Sequence, residues 1–452
     1  MPRKLNTSPL GRLLRVGAVA TRVSTSLALE KALGFALASP VARLRRTQNF
    51  VANAVRVTEA LGELKGAAMK VGQILSVHEG LLPPEVCAVL QTLQRDAPPV
   101  PFASMRAQLE GGVPGGLERF AELATEPLAA ASIGQVYRGR LKDGREVAVK
   151  VQYPDIDRVV EADLKNLKKL VGALVAMVID IDFEPFWLEL RERLLEELDY
   201  EQEASNIARM AALYADDPMV IVPRVLLEMS GKHVLTMVYE PGIKPDDACS
   251  DRYDAALRDA WGARHLTFVM RGLIEHRFLH ADPNFGNFAF RENGAMVVYD
   301  HGCVTAVEPA VAEGCAGVLA ACVAQDVDAL TAAFRALGVY NRQTGEAVAL
   351  DAIAPIAQEL LDIVGPEPYR FSDASTLYAT VLDPRGAFLR ELTRLELPPE
   401  LMFVNRTLSG VFGNLCRLRS RARWSEVLAA YLPDGPVSRR AVVAQRAALG
   451  TR

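Results

Sequence analysis

Residues 280–290 read HADPNFGNFAF, and the segment VVYDHG follows at residues 297–302. The two segments place Asp282, Asn287 and Asp300 within a short length of chain. Two carboxylates and one amide offer the oxygen ligands that a magnesium ion takes beside a phosphate. Asp-Pro and Asn-Phe-Gly are also ordinary turn sequences. The choice between a metal-phosphate site and a plain turn therefore depends on the neighbouring segments.

The composition is that of a globular protein with little net charge. The chain has 452 residues, half of them hydrophobic, which is enough for two or three structural units. Its net charge of -4 argues against a broadly basic surface, so we expect no nucleic-acid partner. The six cysteines and six histidines show no CxxC or HExxH spacing. This pattern predicts a reducing compartment and no structural zinc.

Signals for membrane contact are present but short. The longest apolar run, residues 170–179, falls below the roughly 18 residues of a spanning helix and predicts a buried helix. In the segment 1–40, Glu30 is the first acidic residue, and several arginines and a lysine precede it. This composition fits a membrane-surface helix, an organelle transit peptide or a surface-packed helix. Arginines lie one helical turn apart in residues 416–424, CRLRSRARW. They predict either a solvated helix face or a contact with anionic lipid headgroups. We expect a cytoplasmic protein, with peripheral membrane contact and organelle import left open.

Sequence periodicity divides the chain into four parts. Helical residues 41–95 end at the proline-rich QRDAPPVPF. Alternation in VYRGRLKDGREVAVKVQY predicts two strands joined at Asp143-Gly144, and KHVLTMVYEPG predicts another strand. The remainder is mainly helical. We therefore predict an α+β architecture with these parts: a basic segment 1–40, a helical extension 41–105, a sheet-containing lobe 106–240 and a helical lobe 241–452.

A loop of small residues precedes the first predicted strand in LAAASIGQVYRGRL. Small side chains let backbone amides approach an anion closely, so the loop is either a phosphate site or an ordinary start of a strand. On the next strand, Lys150 alternates with Val149 and Val151, which points its amine away from the core. Such a lysine is either a solvated strand residue or a phosphate ligand held by a carboxylate.

Carboxylate partners for that lysine occur in LLEELDYEQEASN, residues 194–206. On one continuous helix Glu196, Asp199 and Glu203 would share a face, and Glu197 would lie on another. The alternative is a solvent-facing acidic stripe opposite core leucines.

The order of these parts is specific. A strand lysine after a small-residue loop, an acidic helix, Asp-x-x-x-x-Asn and then Asp-x-Gly follow one another as in the protein-kinase fold. Over roughly residues 45–425 the chain resembles the UbiB (AarF-like) atypical kinases, whose members support ubiquinone biosynthesis in respiratory organisms. The resemblance implies a protein-kinase-like two-lobe fold with an added N-terminal helical extension. The lobes would be residues 106–240 and 241–452.

The family's motifs match the chain residue by residue. Towards the N-terminus, KxGQ matches Lys70 to Gln73, the alanine-rich loop matches residues 129–135, the VAVK lysine is Lys150, ExD matches Glu197 and Asp199, and the glutamate that pairs with the lysine is Glu203. Further on, HxDPxxGN matches His280, Asp282, Pro283, Gly286 and Asn287, and DFG matches Asp300, His301 and Gly302. Asn284-Phe285 replaces the commoner His-Pro, and His301 replaces phenylalanine, which makes that position polar and titratable. Neither change removes a charged ligand.

The resemblance implies ATP and magnesium as cofactors. Lys150, held by Glu203, would contact the α- and β-phosphates, and Asp282 would orient the attacking hydroxyl. Asn287 and Asp300 would be the magnesium ligands. The residues that would contact the nucleotide, apart from Lys150, lie in the alanine-rich loop and the interlobe hinge: Ala129, Ala130, Ala131, Ser132, Ile133, Gly134, Gln135, Met237 and Tyr239.

The KxGQ extension would regulate the site. A helix places Lys70 and Gln73 on one face, about 60° apart. The resemblance implies that Lys70 approaches the acidic Glu197 and Asp199 and covers the place where a peptide would dock. The alternative is a surface Lys-Gln pair. No Ala-Pro-Glu signature follows residues 300–302, so a long activation segment is not expected.

Three classes of function remain at this point. The first is an atypical kinase or ATPase of the UbiB type, acting in quinone or isoprenoid lipid metabolism, with lipid or quinone-pathway proteins as partners. The second is a small-molecule phosphotransferase, which KxGQ and the alanine-rich loop disfavour. The third is a nucleotide-binding regulator resembling a pseudokinase, which the intact charged residues disfavour.

Overall fold

A computed structural model describes residues 100–130, 133–156, 164, 168, 184, 187, 188, 191, 195–341, 344–346, 350–372, 395–396 and 398–436. The basic segment 1–40, the apolar run 170–179, Lys70, Gln73, Ala131 and Ser132 lie outside the described residues, as does most of the extension 41–105. The chain divides into two compact units. The first holds the described residues up to Gln202 together with Val225–Tyr239, and the second holds Glu203–Arg224 and the residues from Glu240 onward.

The described part of the chain combines helices with short strands. Its α-helices are α1 (Phe102–Gly112), α2 (Tyr200–Leu213), α3 (Pro245–Ala248), α4 (Ala255–Met270), α5 (Pro309–Val323), α6 (Val327–Ala336), α7 (Leu350–Ile363), α8 (Pro399–Leu418) and α9 (Trp424–Leu428). Its strands are β1 (Phe120–Leu123), β2 (Ala129–Ala130), β3 (Gly134–Leu141), β4 (Glu146–Gln152), β5 (Val220–Ile221), β6 (Val234–Val238), β7 (Phe278–His280), β8 (Phe288–Phe290), β9 (Met296–Val298), β10 (Val304–Ala306), β11 (Tyr340–Asn341), β12 (Tyr369–Arg370), β13 (Leu395–Glu396) and β14 (Arg421–Ala422).

An antiparallel sheet in the order β1-β3-β4-β6 forms the first unit, with β2 added to β3. The hairpin of β3 and β4 turns at Asp143-Gly144, where Gly144 has φ +89°, a conformation that glycine adopts at little cost. This hairpin was predicted and is confirmed. The strand predicted from KHVLTMVYEPG is also confirmed, since β6 pairs with β4 and places Leu235 opposite Lys150.

Alternation along β4 separates the core of the first unit from Lys150. Val147, Val149 and Val151 are fully buried, whereas Lys150 between them is half-buried on the other face. Helix α1 adds the buried Met105 to the same core. The valines therefore stabilise the sheet by burial, whereas the Lys150 side chain lies outside this core.

The acidic segment does not form one helix, so the prediction of a single shared face for Glu196, Asp199 and Glu203 is wrong. Glu196 is helical, Glu197 lies in a turn, and a new helix, α2, starts at Tyr200. The cause is local: Asp199 Oδ1 accepts a hydrogen bond from the backbone N–H of Gln202 at 2.9 Å. An aspartate that caps a helix start in this way is not part of the helix face itself.

The second unit is built around an aromatic core. Helix α4 continues into a π-helical turn, Arg271–Glu275, which leads directly into β7. A small sheet has β9 at its centre, parallel to β5 and antiparallel to β8. The largest buried side chains of this core include Trp261, Phe268, Phe288 and Phe290. Residues 280–290 and 300–302 are thereby anchored at both ends in packed structure.

The arginines of residues 416–424 do not follow one helix, contrary to the spacing prediction. Helix α8 ends at Leu418, and Arg419 adopts a left-handed conformation with φ 55°. The side chains of three of these arginines pair with carboxylates: Arg417 with Asp246 at 2.7 Å, Arg419 with Asp251 at 2.5 Å and Arg423 with Glu426 at 3.2 Å. Within the described ranges, no helix combines the length and the apolar character needed to cross a bilayer.

Candidate functional site

The pairing of β7 with β10 positions the two polar segments of the second unit. Val304 lies opposite His280, and the backbone N–H of Ala281 donates to the carbonyl of Cys303 at 3.0 Å. His280 Nε2 lies 2.5 Å from the backbone oxygen of Asp300. We call residues 280–290 the Asp282 loop and residues 300–302 the Asp300 segment. The strand pairing holds the start of the Asp282 loop against the Asp300 segment.

Within the Asp282 loop, the aspartate and the asparagine five residues later meet. Asn287 Nδ2 donates to Asp282 Oδ2 at 2.9 Å, and the backbone N–H of Asn284 points to Asp282 Oδ1 at 3.3 Å. The Asn284 side chain accepts from the backbone N–H of Gly286 at 3.1 Å. A single 3₁₀ turn, Phe285–Asn287, produces this arrangement. The loop therefore presents a carboxylate and an amide side by side.

The Asp300 segment is a tight turn with a carboxylate at its start. Asp300 Oδ1 accepts from the backbone N–H of Gly302 at 3.0 Å. The His301 ring is buried and lies edge-on to the His280 ring, with 5.5 Å between ring centroids. His301, which stands where DFG has phenylalanine, is thus buried and packed against another ring. The carboxylate of Asp300 stays fixed to its own turn.

Helix α2 contacts the Asp300 segment inside the second unit. Asn206 Nδ2 donates to the backbone oxygen of His301 at 3.0 Å. Glu203, one turn earlier and only 2% exposed, approaches the same turn, since a Cβ added at Gly302 would lie 4.0 Å from Glu203 Oε2. A buried carboxylate requires a compensating partner. Glu203 is therefore located beside the Asp300 segment.

In the first unit, Lys150 lies against an aromatic ring. Its Nζ is 5.1 Å from the centroid of the buried Tyr200 ring, within cation–π range. The adjacent Gln152 donates from Nε2 to the backbone oxygen of Leu198 at 2.8 Å. These two contacts attach β4 to the first residue of α2 and to the turn before it. Tyr200 stands three residues before Glu203 in the same helix, and the division between the two units falls between them.

The described residues of the alanine-rich loop form an exposed strand and a buried turn. Ala129 and Ala130 of β2 are exposed, and Ile133 is buried. Gly134 has no room for a side chain, because an added Cβ would lie 2.2 Å from the backbone oxygen of Val151. The Gln135 side chain is buried and donates from Nε2 to Tyr137 Oη at 2.6 Å and to the Val100 carbonyl at 3.2 Å. The amide group of Gln135 is thus hydrogen-bonded inside the first unit.

The two residues predicted to form a hinge end the last strand of that sheet. Met237 is nearly buried and lies opposite Ala148, and the backbone N–H of Tyr239 donates to the carbonyl of Glu146 at 2.9 Å. The Arg138 guanidinium lies over the Tyr239 ring, with 4.6 Å between Arg138 Cζ and the ring centroid. Glycine follows at 242, where a Cβ would meet the Ala289 side chain at 2.6 Å.

Comparison with known proteins identifies the family of the chain. Residues 92–334, more than half of the chain, match the model of the ABC1 atypical kinase-like domain. The chain belongs to the ABC1 atypical kinase-like family. The resemblance to the UbiB atypical kinases that the motifs predicted is confirmed.

The relatives of this family member include kinases from several lineages. An uncharacterized protein of Synechocystis is 36% identical, over 62% of this chain and 41% of its own length. The rat protein named atypical kinase COQ8B, mitochondrial, is 36% identical over 53% of this chain and 45% of its own. An Arabidopsis thaliana protein named ACTIVITY OF BC1 COMPLEX KINASE 8, chloroplastic, is 33% identical over 60% of this chain and 36% of its own. The chain therefore spans less than half the length of these relatives.

A solved structure supports the same fold. The Mycobacterium tuberculosis protein Rv3197, solved in complex with erythromycin, is 29% identical with a TM-score of 0.61. The similarity covers 82% of this chain and 94% of that protein. Together with the family match, it confirms the predicted kinase-like fold of mixed helices and sheets.

In this ABC1-family chain, the predicted site residues divide between the two units. Asp282, Asn287, Asp300 and Glu203 all lie in the second unit, on or beside its two polar segments. Lys150 and the residues predicted to contact the nucleotide, as far as they are described, belong to the first unit. Among the residues that the structure describes, no group of three or more His, Cys, Asp or Glu side chains has the arrangement of a metal centre.

Glu197 and Asp199, predicted as regulatory residues, occupy the turn before α2. Asp199 is exposed and caps the helix, and Glu197 is half-buried. Their predicted partners, Lys70 and Gln73, fall outside the described residues.

Three contacts of the site were missed by sequence reasoning. Asn206 donates to the His301 carbonyl, Asn414 donates to the Pro283 carbonyl, and the His265 ring packs against Phe288. None belongs to a motif. The available signal was a polar residue on the apolar face of a predicted helix, because a buried amide or imidazole is retained only with hydrogen-bond partners.

Proposed function

We propose that this chain binds magnesium-ATP and acts on the γ-phosphoryl group, as an atypical kinase or ATPase. The observation that carries the proposal is the contact between the Asp282 loop and the Asp300 segment. Asn287 donates to Asp282, and His280 contacts the backbone of Asp300. Two carboxylates and one amide oxygen then belong to adjoining turns of one compact unit.

The chemistry of these residues fits a magnesium ion. Magnesium prefers hard oxygen ligands and commonly takes one or two carboxylates together with phosphate oxygens. Asp300 and Asn287 would supply the protein oxygens. When bound, the metal neutralises charge on the phosphates. Asp282 would then receive or orient the proton of the attacking hydroxyl, from water or from an acceptor.

Nucleotide binding would be completed by the first unit. Lys150 would contact the α- and β-phosphates, and we propose that Glu203 pairs with it. The pairing is proposed from the family motif. Lys150 lies on the Tyr200 ring, and Glu203 stands three residues after Tyr200 in α2. The nucleotide would also meet the alanine-rich loop, residues 129–135, and the strand end at Met237 and Tyr239. Gly134, near the end of this loop, packs closely against the backbone of Val151.

The pathway is proposed from the family. Relatives carry names such as atypical kinase COQ8B, mitochondrial, and the resemblance to UbiB proteins implies quinone or isoprenoid lipid metabolism. We propose an acceptor or regulatory lipid of that class, with lipid or quinone-pathway proteins as partners and peripheral contact with a membrane. The KxGQ residues Lys70 and Gln73, with Glu197 and Asp199, would restrict access of other acceptors.

Two substitutions test the proposal. Asp300→Asn removes the charge that would anchor the metal, so ATP with magnesium should no longer raise the melting temperature. Asp282→Asn should keep that shift and lower phosphate release by about 100-fold or more, because general acid–base groups contribute mainly to turnover. Calorimetry and a phosphate-release assay, with and without lipid extracts, measure both effects.

The assay also distinguishes the other classes of function. Phosphate transfer to a water-soluble alcohol but to no lipid would favour a small-molecule phosphotransferase. An ATP-dependent stabilisation without any turnover would favour a nucleotide-binding regulator. Wild-type phosphate release by Asp282→Asn would remove Asp282 from its proposed role.

A further inference from the structure

Helix α8 contacts the Asp282 loop, although α8 lies beyond the residues matched by the family model. Asn414, 6% exposed, donates from Nδ2 to the backbone oxygen of Pro283 at 2.9 Å. The same nitrogen lies 3.4 Å from Nε2 of the fully buried His265 on α4. A primary amide carries two hydrogens, so Asn414 can make both contacts when His265 Nε2 accepts.

His265 extends this contact to the aromatic side chains of the loop. Burial lowers the pKa of His265 to about 3, so the ring is neutral near pH 7 and can accept a hydrogen bond. The ring lies edge-on to Phe285 at 5.8 Å and to Phe288 at 4.4 Å between centroids. Phe288 directly follows Asn287. The Asn414–His265 pair therefore contacts the loop next to Asp282 and next to Asn287.

Two further residues of α8 approach the same loop. A Cβ added at Gly410 would lie 2.3 Å from Pro283 Cγ, so the helix backbone passes directly over this proline. The Arg417 guanidinium lies 5.0 Å from the centroid of the Phe285 ring. Gly410, Asn414 and Arg417 are spaced four and three residues apart, which places them on one face of the helix.

We infer that Asn414 is a positioning residue for Asp282 and Asn287, acting through the Pro283 carbonyl and, with His265, through Phe285 and Phe288. The functional part of this inference rests on the proposed phosphoryl chemistry. Pro283 is bonded to Asp282, so a displaced proline moves the carboxylate. Displacement of a reacting group by about 1 Å can lower a rate by roughly 100-fold.

The main test is Asn414→Leu, which keeps the branching at Cγ and cannot donate a hydrogen bond. Hydrogen exchange is measured on the full chain without nucleotide, at the backbone amides of Asn284, Gly286 and Asn287. We expect faster exchange of the peptide that contains them and unchanged exchange around β9. In the turnover assay, kcat should fall by about tenfold or more while KM for magnesium-ATP changes little, because the loop is displaced and the nucleotide contacts are retained.

A second variant displaces the loop by steric contact. Gly410→Ala places a methyl group against Pro283 and should increase exchange of the same amides. Its matched control is Gly317→Ala in α5, where the nearest atom to the new Cβ is 3.8 Å away. The control for Asn414→Leu is Thr407→Val, since Thr407 is 1% exposed on the same helix and its hydroxyl has no hydrogen-bond partner among the described residues. Both controls should exchange like the wild type.

Each outcome separates the inference from the proposed function. Wild-type loop exchange in both Asn414→Leu and Gly410→Ala would overturn the inference. Unfolding of both variants under conditions where Thr407→Val and Gly317→Ala stay folded would also overturn it, and would make α8 purely structural. Absence of turnover in the wild type would instead refute the phosphoryl chemistry, while the exchange comparison still tests whether Asn414 positions the loop.

Discussion

At the scale of the single residue, His265 shows how burial determines charge. The ring is fully buried among Phe285, Phe288 and Asn414, and burial lowers its pKa from 6.5 to about 3. In the unfolded chain the same imidazole takes up a proton near pH 6.5. The folded state therefore requires a neutral His265 throughout the range between these two pKa values.

This difference predicts a pH dependence of stability. The folded pKa is the lower one, so the unfolded state binds more protons below pH 6.5, and stability falls as the pH decreases from 6.5 towards 3. Between pH 7 and pH 5 the loss attributable to His265 should be about 2 kcal/mol. Denaturant unfolding of wild type and His265→Gln at both pH values measures it. The variant should lose less stability, and equal losses would contradict the assigned burial effect.

At the scale of the element, the start of β3 depends on a glycine. A Cβ at Gly134 would lie 2.2 Å from the backbone oxygen of Val151 on the paired strand. Backbone atoms cannot move aside as a side chain can. The alanine-rich loop therefore enters the sheet at a position that only glycine fits.

Substitution there should cost stability. Gly134→Ala should destabilise the chain by roughly 1–3 kcal/mol, because the new methyl group forces two paired strands apart. Gly111→Ala in α1 is the matched control, since nothing lies within 4 Å of its added Cβ. Thermal unfolding without ligand gives both values. A Gly134→Ala variant as stable as the control would show that the strands relax at this point.

The elements also show which features sequence alone can predict. The β3–β4 hairpin depends on Asp143-Gly144 and on alternation, both local, and it was predicted correctly. The break before α2 depends on one hydrogen bond from Gln202 to Asp199, which periodicity does not register. The contact between Asn414 and Pro283 joins residues 131 positions apart, so only the tertiary fold reveals it. The order of the motifs located Asp282 and Asn287 in the sequence. The residues that contact their loop, Asn414 and His265, lie in distant helices outside any motif.

At the scale of the whole molecule, the family match sets the kinase-like fold, and the regulation of the site stays a prediction. The proposed regulatory contact joins Lys70, outside the described residues, with Glu197 in the turn before α2. The exposed Asp199 caps α2 at the end of this turn, and Glu197 lies two residues before it.

A double-mutant cycle tests this contact in the full chain. Lys70→Glu should change nucleotide turnover or acceptor selectivity without loss of fold, and Glu197→Lys should do the same. Combining them restores opposite charges, so part of the loss should be recovered, with a coupling of about 0.5 kcal/mol or more. Phosphate release and melting temperature are measured for all four proteins. Additive effects on turnover would return the KxGQ segment to a structural role.

The buried amide of Gln135 has a consequence for chains of different length. Its oxygen accepts from the Val100 N–H and its nitrogen donates to the Val100 carbonyl, as the backbone of a neighbouring strand would. The Gln135 amide thus pairs with Val100 as a peptide unit of a strand would, and this pairing fixes the position of Val100 beside the sheet. A change in the length of the chain ahead of Val100 should then leave the register of the sheet unchanged. Shortening the chain past Val100 would instead remove two of the three hydrogen bonds of this buried amide and leave the one to Tyr137.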